Sequence, residues 1–303
     1  MLLSDPESRM TSLRTLLASV IDYAGLFPPA GLDMSSAVRN YHAYFSGKES
    51  WALGRFIVPV ARLDEFSRAY KEIPTVISDR PWCLSALAGV DLHADRSAIL
   101  QFNQSHKPAV VIDTVEMKTS TEEEIKGAKA VIPVEIETYF EIPIHSDPNE
   151  LIDAIGVTRS RAKARTGGIT PDAFPTSSDL LRFIHACTKA GVPFKATAGL
   201  HHPIRSVQRL TYENNAPTGM MFGFLNVFLT TAFIQAGMEI TEAIHILEEQ
   251  SLEAFIFSND GVSWRTHRLT IGQLETVRAR CAVSFGSCSF REPLDDLHVM
   301  NLL

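Results

Sequence analysis

Short apolar runs and stretches of helical spacing alternate along almost the whole chain, and that alternation restricts the fold more than any other feature. Apolar runs fall at 21–27, 55–60, 82–88, 109–113, 131–137, 161–165, 193–198 and 254–257. Between most of them, apolar residues recur at the i, i+3, i+4, i+7 spacing that covers one face of a helix. The segment PTSSDLLRFIHACTKAG is the clearest case. Ser and Thr after Pro175 can cap its start, Leu180, Phe183, Ile184 and Cys187 form the stripe, and Gly191 can close its end. Residues 33–46, 63–71, 121–129 and 241–249 behave alike. Repeated strand–helix units with short connections predict a parallel sheet, and this number of units predicts an α/β fold closed into a (β/α)8 TIM-type barrel.

The count leaves two points open. A further run at 282–285 competes with 254–257 to close the ring. A doubly wound open sheet is the alternative architecture, although no GxGxxG fingerprint follows an early strand. No linker-like tract divides the sequence, so residues 1–303 are expected to form a single barrel domain, with a C-terminal extension or helical insertion at about 203–250.

Composition excludes several classes of function. A formal net charge of −7 lacks the basic footprint of a nucleic-acid binder. In MLLSDPESRM, Asp5 and Glu7 interrupt the apolar run that an export signal needs, so a cytoplasmic protein is expected. Cys83, Cys187, Cys281 and Cys288 are widely spaced without a CxxC, which reads as free thiols. The uncharged segment 220–236, MMFGFLNVFLTTAFIQA, falls short of the roughly 20 apolar residues of a membrane span and carries Asn226 and Gln235. A helix buried in the protein or covered by a second subunit is expected instead, hence no membrane partner and a homo-oligomer.

Charged residues interrupt the strand-like runs in a regular way. Side chains two apart in a strand share a face. In PFKATAG, Lys195 and Thr197 therefore oppose Phe194, Ala196 and Ala198, and in RAKARTGG, Lys163 and Arg165 oppose Ala162 and Ala164. Glu135 and Glu137 project together one run earlier, and Asp113 ends AVVID. If the apolar set packs against helices, the charged set faces the barrel interior near the C-terminal strand ends, where barrel active sites lie. Unpaired buried charge costs several kcal/mol per ion, so these groups must neutralise one another or serve a ligand.

On these two strands the chain resembles the class I aldolases of the deoxyribose-phosphate aldolase type. Lys163-Ala164-Arg165-Thr166-Gly167 is similar to that family's K-x-x-T-G motif, and Lys195-Ala196-Thr197-Ala198-Gly199 to its K-A-[ST]-x-G motif. The resemblance implies a Schiff-base lysine at Lys163, a second lysine at Lys195 and a proton-relay carboxylate at Asp113. It also implies a phosphate-binding turn at Phe285-Gly286-Ser287-Cys288-Ser289. It covers about a tenth of the chain, and Arg165 and His201-His202 depart from the family's pattern. Together, DYAGLFPPA, KATAGLHH and FGSCSF also resemble segments of a bacterial family, a likeness that implies no activity.

The residue types suit amine chemistry without a cofactor. Lys163 is the preferred nucleophile and Lys195 its pKa-lowering neighbour, although the two assignments can be exchanged. Asp113, Glu135 or Glu137 would move protons. Arg165, Thr166, Gly167, Gly168, Thr197, His201, His202, Ser287 and Ser289 would hold a small anionic carbonyl metabolite. One alternative is a divalent-metal hydrolase or isomerase with His201, His202, Glu135 and Glu137 as ligands. Another is a non-catalytic barrel whose 220–236 helix serves assembly. Asp22 and Tyr23 either reach the mouth or anchor the turn before Pro28-Pro29.

Overall fold

A computed structural model describes residues 6–74 and 80–303; Asp5, on which the reading of the N-terminus partly rests, lies outside them. The barrel strands are β1 (Ile21–Tyr23), β2 (Leu53–Pro59), β3 (Trp82–Leu87), β4 (Val110–Lys118), β5 (Glu137–Glu141), β6 (Arg161–Arg165) and β7 (Phe194–Thr197). After β7 come a hairpin of β8 (Ser206–Arg209) and β9 (Thr218–Met221), and a small antiparallel sheet of β10 (Phe255–Ser258), β11 (Gly261–Trp264) and β12 (His267–Thr270). The last strand, β13 (Ala282–Ser287), closes the ring. Its eight parallel strands run β1-β13-β7-β6-β5-β4-β3-β2, the arrangement of a TIM-type barrel.

The open question of closure is thus resolved in favour of 282–285. The competing run at 254–257 pairs antiparallel with β11, outside the barrel.

One strand lies elsewhere than its pattern predicts. Of residues 131–137, Val131 ends the helix Glu122–Val131, 132–136 make a turn in which Ile136 N–H donates to Pro133 C=O, and only Glu137 is strand. The strand that follows, Glu137–Glu141, has a charged residue at each end and so gives little apolar signal. Run 109–113, by contrast, is only the first half of β4.

The apolar segment that was offered as an assembly surface is covered by its own chain. Every residue from Phe224 to Ile234 is buried in the helix Phe224–Gln235. Phe224 stacks on Phe285 of β13 at 5.2 Å, and Phe228 meets the same ring edge-on. Asn226, the polar residue that spoke against a membrane span, donates to Ile246 and Glu249 C=O and accepts from Arg205 N–H. Burying each large side chain contributes about 1.5–3 kcal/mol. Among the described residues, no helix is long and apolar enough to cross a membrane.

Candidate active site at the C-terminal mouth

Strand pairing sets Lys163 of β6 directly beside Lys195 of β7. The alanines on either side, Ala162, Ala164 and Ala196, are buried against the helix layer, so the lysines turn into the barrel. Lys195 lies deeper. Its Nζ is 2.5 Å from Asp22 Oδ2 and 2.7 Å from Glu116 Oε1. Lys163 Nζ is 2.8 Å from the other oxygen of Glu116 and 2.8 Å from Glu141 Oε2. Glu116 therefore bridges the two amines, and Glu141 extends the chain outward to Arg165 at 3.3 Å. Ser284 Oγ donates to Asp22 and Ser85 Oγ to Glu116, so the buried carboxylates accept neutral hydrogen bonds as well.

This geometry sets the charge states. Burial alone would raise the Glu116 pKa, but Lys163 and Lys195 hold it far below the ordinary carboxylate value. Glu141 is lowered in the same sense, against its own burial, chiefly by Lys163. Burial works against the Lys195 ammonium, yet Asp22 and Glu116 outweigh it and raise its pKa. Lys195 is a fixed cation.

Above this network opens a cavity of about 700 Å³. Lys163, Glu116 and Glu141 reach its wall, whereas Lys195 does not. Side-chain exposure separates the two amines in the same way, 8% for Lys163 and 1% for Lys195. The wall draws together the three segments that the sequence likeness grouped. Ala24 and Phe27 come from the turn after β1, Thr197 to Gly199 from the end of β7, and Gly286 and Cys288 from the end of β13. These strands are neighbours in the ring.

The histidines also gather here. In a continuing strand His201 and His202 would diverge, but Ala198 and Gly199 take left-handed backbone angles (φ 61° and 73°) and turn the chain. Both rings line the cavity. Their Nδ1 atoms lie 2.7 Å from Glu292 and 2.6 Å from Asp296, carboxylates one turn apart on the helix Arg291–Val299. Tyr212 Oη also donates to Glu292 at 3.2 Å. Each pair is a His–carboxylate dyad, the arrangement that orients an imidazole for proton transfer.

Several expected site residues stand elsewhere. Asp113 and Glu137 point into the opposite, N-terminal end of the barrel, where Arg55 holds Asp113 through two hydrogen bonds of 2.7 and 2.9 Å and Arg161 pairs with Glu137. Glu135 is exposed in the turn before β5, which gives it no position on a barrel-facing strand. Neither glutamate accompanies His201 and His202, so the proposed metal ligand set is not brought together. Among the described residues no group of three or more His, Cys, Asp or Glu side chains is placed to hold a metal ion.

Of the residues expected to hold substrate, Arg165, Gly168, Thr197, His201 and His202 line the cavity. Thr166 and Gly167 instead fasten the two motif strands together. Thr166 Oγ1 donates to Ala198 C=O at 2.5 Å, and a Cβ on Gly199 would come within 2.9 Å of Gly167 Cα. Ser287 Oγ donates to Ser289 C=O, and Ser289 Oγ accepts from Glu292 N–H, so both hydroxyls hold their own turn. Cys288 between them lines the cavity.

Glu116, Glu141 and Lys118 were missed. Glu116 and Lys118 share the inner face of β4, but the predicted strand stopped at Asp113. A register shift near Leu84/Ser85 lets Asp113 and Glu116, three apart, both turn inward. Glu137, Tyr139 and Glu141 share the inner face of β5 from bottom to top. A scan of models of known protein families and a search of curated proteins found no match to this chain.

Proposed function

We propose that this barrel is a carbon–carbon lyase of the class I aldolase kind, acting on a small carbonyl compound that carries an anionic group. The observation that carries the reading is the unequal placement of two adjacent lysines. Lys163 lies at the cavity wall between two carboxylates, and Lys195 sits beneath as a buried cation on the same Glu116.

An ammonium cannot attack a carbonyl, so Lys163 first passes a proton to Glu141, the carboxylate nearer the cavity mouth. The freed lone pair forms the C–N bond as the C=O π pair moves to oxygen, and one proton passes from the attacking nitrogen to that oxygen to give the carbinolamine. Glu141 returns its proton as that hydroxyl leaves as water, and the iminium remains. Its positive charge replaces that of the ammonium between Glu116 and Glu141, so the carboxylates stay neutralised throughout. For C–C cleavage, His201, oriented by Glu292, takes the proton of the β-hydroxyl. The C–C electron pair then moves toward the iminium nitrogen to form an enamine. The His201 imidazolium returns its proton to the enamine carbon, and water attacking the resulting iminium releases the second product and restores the Lys163 ammonium. Lys195 serves as a positioning residue that keeps Glu116 ionised.

The test is reductive trapping. Borohydride added with pyruvate or glyceraldehyde is expected to give one mass adduct per chain, absent from Lys163→Met. The proposal fails if neither probe yields an adduct, or if Lys163→Met is labelled as readily as the wild type.

A further inference from the structure

Beside the lysine cavity, the loops after β4, β5 and β6 enclose a second hollow of about 400 Å³. Lys118, Glu141 and Arg165 stand in the walls of both, so the two spaces meet at these side chains. Their polar groups are unevenly used. Among the described residues the Lys118 ammonium makes no ion pair or side-chain hydrogen bond; it is exposed at the junction, where its charge acts on Glu141 only through space. Thr119, only 7% exposed, lines the second hollow, and its Oγ1 has no partner. Leaving a buried hydroxyl unsatisfied costs about 1–3 kcal/mol.

Charge points the same way. The connected ring at the mouth holds the cations Lys195, Lys163 and Arg165 against the carboxylates Asp22, Glu116 and Glu141, a balanced set. Lys118, which also helps to hold Glu141 ionised, adds one cation beyond this balance. Glu124, in the far wall, accepts from Ser120 and Thr121 N–H and so caps its own helix. His145 lies 3.6 Å from Asp179. Ile142, Pro143 and Ile144 supply apolar wall.

We propose that this hollow is an anion subsite, in which Lys118, Arg165 and the Thr119 hydroxyl hold the carboxylate or phosphate end of a substrate. Placing that substrate's carbonyl over Lys163 rests on the Schiff-base reading; anion binding itself does not. The subsite lies across the mouth from the Ser287–Ser289 turn, whose side-chain hydroxyls are already engaged. The apolar wall and the limited volume favour an anionic group on a short chain.

The experiment titrates the full chain with inorganic phosphate and, separately, with propionate, followed by calorimetry. At least one probe is expected to bind, and the one that binds identifies the anion. Lys118→Ala is expected to weaken binding about tenfold, the size of one lost charge-assisted hydrogen bond. Thr119→Val should weaken it severalfold, and Arg209→Ala, which removes a cation of the β8–β9 hairpin at the rim of the larger cavity, should leave it unchanged. Absence of binding by both probes overturns the proposal, as does binding that survives Lys118→Ala or disappears with Arg209→Ala. The same titration on Lys163→Met separates the two readings. Binding retained there with no trapping in the wild type removes the amine chemistry alone, and trapping without Lys118-dependent binding removes the subsite alone.

Discussion

At the N-terminal end of the barrel, Arg55 grips Asp113 and Arg161 grips Glu137; at the C-terminal end, Asp22, Lys195, Glu116, Lys163 and Glu141 alternate in sign. Both sets arise from charged residues on the inner faces of strands, and both neutralise internally. They differ in burial and in what lies beside them. The N-terminal side chains are 23–35% exposed and line neither cavity, whereas Lys195 and Glu116 are 1% exposed below an open one. Charge inside a barrel therefore does not identify a site. Position along the strand, and room for a ligand, do.

The largest expected contrast is in stability. Lys195→Met leaves the buried Asp22 without its ammonium partner and Glu116 with Lys163 alone, and should cost about 3–5 kcal/mol in urea unfolding. Arg161→Met, at the partly exposed end, should cost about 1 kcal/mol or less. Equal losses would break the comparison. The next contrast is in chemistry. Glu141→Gln keeps the volume but removes the carboxylate that takes and returns the Lys163 proton, and should slow imine trapping about a hundredfold. Glu137→Gln should leave the trapping rate unchanged.

Acidity sharpens the same contrast. Glu116 and Glu141 ionise more readily folded than unfolded, so their contribution is complete above the ordinary carboxylate pKa of 4.5. It is lost as pH falls through their depressed folded values. For Lys195, whose pKa is raised, the contribution is complete below the ordinary 10.5 and is lost as pH rises through the folded value. Stability measured against pH should show both limbs, and Glu116→Gln should flatten the acid one. The smallest effect concerns the rim: Glu292→Gln should lower the rate of C–C cleavage about tenfold and alter its pH profile through His201, with trapping retained.

The barrel was legible because its strands and helices differ in period, and two of its decisive side chains were legible for the same reason. Lys163 and Lys195 stand out as charges flanked by uncharged, apolar residues, Ala162 and Ala164 in one strand and Phe194 and Ala196 in the other. Their partners were hidden by local geometry. Glu116 lies past the point where the apolar run of β4 appeared to end, and Glu141 on a strand whose alternation was masked by the Val-Ile-Pro-Val turn before it. The dyads of His201 and His202 depend on a left-handed turn and on a helix about ninety residues away, which no local period reports. Thr166 and Gly167 lie in a stretch that only resembles a catalytic motif, and their contacts, a hydrogen bond to Ala198 C=O and a close approach to Gly199, join the two strand ends.

The most direct measurement is the position of the trapped adduct. After borohydride reduction with a carbonyl probe, proteolysis and peptide mass analysis should place the label on Lys163 and leave Lys195 unmodified. A label on Lys195, or one spread over surface lysines with Lys163 untouched, would contradict the assignment of the cavity-facing amine as the nucleophile.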